Sequence, residues 1–279
     1  MTDRGVSTVV DAVLCLLLVS SAVATLAYVP ADTDPSRPDT ADETADVVGS
    51  STARVDYTLA TPNGDVERST QGTLAELLAD AAVANMTVYG HQLSDDSDAF
   101  EREVTAVVES AVARPNVSVT VRATWEPYPN SPVKGTVTAG DVPPPNADVH
   151  VATLTVPSDS STNRNDAVRA ASDGFRGVAR VTARGVVGAL FPPEEASVSL
   201  QDPQTKRATA ERYRRAATLF DSRVDNDDPE RVRRTNERLT AALVDRTVGD
   251  FTDQFDTPQS AAEAVSVGEV RIVVRTWER

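Results

Sequence analysis

The chain has 279 residues and a formal net charge of −15, from 42 acidic against 27 basic residues. That balance argues against nucleic acid as a partner, because phosphate binding needs a basic face. A lone cysteine, Cys15, excludes a disulfide framework and a cysteine-based metal site.

The N-terminal stretch is the most apolar part. Ala12–Val29 carries no charge, and extended back to Val6 the segment has 24 residues, twelve of them Val or Leu. As a helix it would span about 36 Å, enough for a hydrocarbon core of about 30 Å. Arg4 on the cytoplasmic side would place the bulk of the chain outside. Three readings stand: an export signal cut after Ala22-Val23-Ala24, an uncleaved anchor, and a signal cut between Gly5 and Val6 that leaves the apolar helix on the mature protein.

Arg4-Gly5-Val6-Ser7-Thr8-Val9-Val10 resembles the signal of haloarchaeal type IV pilins: a basic residue, a small residue, then V-S-P-V-I-G and an apolar helix. Thr8 replaces the proline and Asp11 the glycine. Those departures fit the uncharacterised pilin-like membrane proteins that haloarchaea carry beside pilus-assembly components. Composition agrees, since acidic, Lys-poor chains (here only Lys134 and Lys206) resemble proteins of extremely halophilic archaea. The resemblance implies processing at Gly5–Val6 and a single-pass cell-membrane protein with its C-terminal domain outside. It implies a minor pilin-like subunit or accessory of a type IV pilus-like assembly. The partners implied are the membrane, through the N-terminal helix, and pilin-like or assembly-platform proteins. Asp11 would then pair with a neighbouring subunit's terminal amine and set helix register. The alternative is a surface binding module on an uncleaved anchor.

Residues 30–50 are rich in Asp, Thr, Pro and Ala, and read as an acidic disordered linker. Ala53, Val55, Tyr57 and Leu59 alternate with polar residues as a strand, ahead of a turn at Pro62-Asn63-Gly64-Asp65. Thr73 caps a helix with the stripe Leu74, Leu77, Leu78, Ala81. Asp98 with Glu101 opens another, through Phe100, Val104, Val107 and Ala111. Val117–Trp125 is the clearest strand, followed by shorter ones at Val133–Thr138 and Val149–Val156.

From Asn163 the pattern turns helical. One helix runs to Leu190, and its Gly174, Gly177, Gly185 and Gly188 suggest close packing on a neighbour. Asp202-Pro203, Asp228-Pro229 and Thr257-Pro258 open three more by capping residue and first-turn proline. Val267–Trp277 closes the chain as a strand. The predicted fold is α+β: an N-terminal transmembrane helix (1–29), a linker (30–50), and an extracytoplasmic domain (51–279) of antiparallel strands with segregated helices. Within that domain, 51–157 is strand-rich, 163–256 is helical and 267–277 is the closing strand.

No constellation of nucleophile, base and orienting acid emerges, so no enzyme activity, catalytic residue, metal or cofactor is assigned. His91 and His150 lack triad or metal spacing, and Asp225-Asn226-Asp227-Asp228 lacks the glycine and distal Glu of a calcium loop. Asn85-Met86-Thr87 and Asn116-Val117-Ser118 are N-glycosylation acceptors. The local anomaly is arginine. Arg212, Arg214 and Arg215 on one helix and Arg231, Arg233 and Arg234 on the next form a basic region, read either as paired with nearby acids or as an interface for an acidic partner.

Overall fold

The computed structural model describes residues 40–61, 64–93, 97–158, 160, 162–223 and 228–278. The apolar stretch 6–29, with Gly5, Val6 and Asp11, lies outside them. Among the described residues no helix is long and apolar enough to cross a membrane.

The first described element corrects the linker reading over its last part. Thr40–Ser50 is a helix, α1, that buries Ala41, Thr44, Ala45 and Val48. These positions follow i, i+3, i+4, i+7, one face of a helix. Asp42 and Glu43 in its first turn suit the positive end of the helix dipole, and Arg114 ties Glu43 down at 2.9 Å.

Strands β1 (Thr52–Thr61) and β2 (Gly64–Thr73) form an antiparallel hairpin of their own. The sequence shows β1 but not β2, whose residues are mostly exposed on both faces and so do not alternate. Helix α2 (Leu74–Ala84) starts with a full capping box, Thr73 with Glu76. The Thr73 backbone N–H, with its side chain second, holds the Glu76 carboxyl below its ordinary range. After α2 come short strands β3 (Met86–Val88) and β4 (His91–Gln92), then helix α3 (Ser97–Val112). Asp98 there accepts from the Gln92 amide at 2.9 Å.

Strands β5 (Val117–Trp125), β6 (Val133–Gly140), β7 (His150–Pro157) and β8 (Glu269–Glu278) complete a second sheet among the described residues. Its order is β4-β3-β6-β5-β8-β7, and every neighbouring pair is antiparallel. The closing strand therefore lies inside the sheet, between β5 and the edge strand β7. Helices α1, α2 and α3 pack on this sheet. They cover the face carrying Val121, Ala123, Trp125, Val270, Ile272 and Val274, all fully buried. Trp125 donates its ring N–H to the Val267 carbonyl at 2.9 Å, which satisfies the one polar atom of a large core side chain. The opposite face presents exposed Arg122, Thr153, Thr155 and Arg271.

The long helix predicted from Asn163 is two helices. Asn163 and Asp166 form a capping box for α4 (Arg164–Ala170), a short 3₁₀ turn follows, and α5 runs Gly174–Leu190. The break falls at Gly174, whose φ of +74° is left-handed backbone that favours glycine. Close packing explains Gly177 and Gly185 but not Gly188, which has open space above it. Pro192 follows just after the end of α5, and Pro193 opens α6 (Pro193–Gln201) as its first residue. Asp202 shapes the following turn, and α7 begins at Lys206 and ends at Leu219. Asp228 caps a 3₁₀ turn leading into α8 (Val232–Gln254), and a Thr257 capping box starts α9 (Pro258–Glu263).

Candidate functional site

The site is a groove between α5 and α8, and it comes from simple helix arithmetic. Arg176, Arg180 and Arg184 recur every four residues along α5, so they stack on one exposed side at steps of about 6 Å. The opposite side of α5 (Val178, Thr182 and Val186) is buried. The helix is thus fixed by its apolar stripe, and the arginine ladder is left facing out.

Helix α8 runs antiparallel alongside. At one end Arg176 meets Asp245 at 2.7 Å; at the other the Asn236 amide donates to the Phe191 carbonyl at 2.8 Å. Between them lies a cavity of about 720 Å³. Arg176, Arg180, Arg184 and Arg233 supply its positive lining, against the single acid Glu237. Val187, Gly188, Pro193, Ala241 and Val244 supply the apolar part. Arg233 reaches Glu194 at 3.5 Å, with both side chains about four-fifths exposed (82% and 79%), so that pair contributes little. The Arg180 and Arg184 side chains form no ion pair or hydrogen bond among the described residues.

One end of the groove is rigid. The Tyr213 ring stacks on Phe191 with centroids 3.9 Å apart and planes 14° from parallel. Arg212 lies over the Phe191 ring, 5.5 Å from its centroid. The Tyr213 hydroxyl donates to Asn236 at 2.9 Å, and burial raises its pKa far above the ordinary value. Asn236 thus has both ends of its amide occupied and acts as a fixed strut linking α5, α7 and α8. Guanidinium groups on such a scaffold can take carboxylate or phosphate oxygens in paired hydrogen bonds.

The structure separates the arginines expected to form one basic region. Of the six, Arg233 alone lines the groove. Arg214 pairs with Glu211, and Arg231 with Asp228 at 3.0 Å. Arg212 and Arg215 are engaged within the domain, and Arg234 is exposed on α8. Local arginine density in the sequence does not pick out Arg176, Arg180 and Arg184. Their signal was the R-x-x-x-R-x-x-x-R spacing.

Of the two glycosylation acceptors, Asn116 is exposed in a left-handed turn (φ +61°). Asn85 is half-buried: its amide donates to the Thr136 carbonyl at 3.1 Å and accepts from Gln92 at 3.2 Å. His91 and His150 fall on β4 and β7, opposite edges of the sheet. Among the described residues no group of three or more His, Cys, Asp or Glu is placed to hold a metal ion.

A family model described as a family of unknown function (DUF7284) matches residues 10–277. No curated protein and no solved structure matches the chain.

Proposed function

We propose, from the premise that the chain belongs to the DUF7284 family of unknown function, that it is a membrane-tethered structural subunit whose outward domain docks an acidic partner. The observation that carries the docking part is the arginine-lined groove between α5 and α8. Support for the tether comes from the 24-residue apolar segment Val6–Val29. The family match begins at residue 10 and so takes in most of that segment. The likeness of Arg4–Val10 to an archaeal pilin signal favours a minor subunit or accessory of a type IV pilus-like assembly, acting by association and not by catalysis. An uncleaved anchor would carry the same outward domain and differ only at the N-terminus.

Intact mass of the mature protein from washed membranes tests this. Loss of residues 1–5 supports the pilin-like route, and an unprocessed N-terminus supports the plain anchor. A soluble product starting at Thr25 would overturn membrane retention in either form.

A further inference from the structure

The geometry points to an acidic amphipathic helix of a partner subunit as the occupant of the α5–α8 groove, an inference that rests on reading the domain as a docking module. The occupant would carry carboxylates at four-residue intervals.

The first argument is register. Arg176, Arg180 and Arg184 span about 12 Å in two equal steps, because eight residues of helix rise about 1.5 Å each. A helix laid along the groove repeats at the same interval, so Glu or Asp at i, i+4 and i+8 meets one guanidinium per turn. A compact anion would engage one rung or two and leave the rest unmatched.

The second argument is the floor. Pro193 and Ala241 give the groove accessible apolar surface beside the buried Val187 and Val244, and Gly188 leaves open space where a side chain would otherwise stand. Small and apolar residues between charged rims suit a helix with an apolar stripe beside its acidic one. A nucleic acid strand would offer phosphates but no aliphatic surface for that floor.

The third argument is charge. The groove is positive on a chain whose formal net charge is −15. An acidic helix is repelled by most of the surface and drawn to this one, which favours a single docking pose. The terminal arginines, Arg176 and Arg233, have only exposed ion pairs, with Asp245 and Glu194, which contribute little. Arg180 and Arg184, in the middle, face the groove with their donors available.

The test uses the full-length chain in an uncharged detergent. A fluorescein-labelled helical peptide with Glu at every fourth position and Leu between is titrated by anisotropy, beside the same peptide with Gln in place of Glu. The Glu peptide is expected to bind about tenfold or more tightly than the Gln peptide, since charge-assisted bonds are about twice as strong as neutral ones. The Arg180→Gln/Arg184→Gln double variant should lose that difference. Gly188→Leu should weaken binding by filling the floor, and Arg207→Gln on α7 should bind like the parent. Melting curves confirm that each variant is folded. Equal binding of the two peptides, or an unchanged double variant, overturns the inference. So does an oligo-dT strand that binds as tightly as the Glu peptide. Soluble protein starting at Thr25 that still discriminates the peptides would sink the tether and leave the groove intact.

Discussion

Gly135 sits where the last turn of α2 comes down on β6. A Cβ at this position would lie 1.7 Å from the Ala82 carbonyl oxygen, which is backbone and cannot step aside. The contact is braced by the Asn85 amide bonding to the Thr136 carbonyl. Gly135→Ala is therefore expected to cost about 2 kcal/mol or more, read as a lower urea midpoint. Gly188→Ala, with nothing within 4 Å, should instead gain up to about 1 kcal/mol from helix propensity. Neither sign is legible in the sequence, where a glycine at a crowded crossing and one over open space are the same letter. The arginines make the same point. Arg212 and Arg180 look alike in the chain, but one is spread over an aromatic ring and the other faces a groove.

Capped, periodic elements are the ones the sequence announces. Thr73, Asn163 and Thr257 each start a helix where their hydroxyl or amide predicts it. The alternation in Val117–Trp125 marks a strand whose apolar face of Val119, Val121, Ala123 and Trp125 is buried, with Ser118 and Thr120 on the other face buried as well. Elements without those signals escape. Strand β2 lacks alternation because neither of its faces is core, and the α1 stripe of Ala41, Thr44, Ala45 and Val48 is too small-sided to stand out among acids. The α1 assignment has a direct check. Val48 is fully buried, so Val48→Asp loses its burial and strands a carboxylate in the core, a cost of about 3 kcal/mol or more. A solvated linker would accept the substitution with an unchanged melting temperature, and that result would refute the helix. The groove escapes for a further reason, since it is made by two elements that the sequence separates by about forty residues.

At the scale of the whole molecule, a net charge of −15 means that folding gathers like charges. Raising KCl from 0.1 M to 1 M shortens the screening length from about 10 Å to about 3 Å. The melting temperature should rise over that range, while the Glu peptide should bind more weakly. Calorimetry and anisotropy on the same samples would show the opposite trends, and a melting temperature that fell with salt would count against repulsion as the dominant charge effect. Helix α1 adds a mechanical consequence. The polypeptide enters the domain at Thr40 and passes at once into a helix buried against β7, β8, α2 and α3. Tension drawn along the chain from its N-terminal side is delivered to that helix end. It peels α1 away turn by turn before it reaches Ser51, whose carbonyl is bonded to the Leu74 N–H at 2.9 Å. The strand pair β5–β8, with nine residues in register, lies behind that point. Helix α1 is thus the first described element that such a pull would load, ahead of the β5–β8 pair.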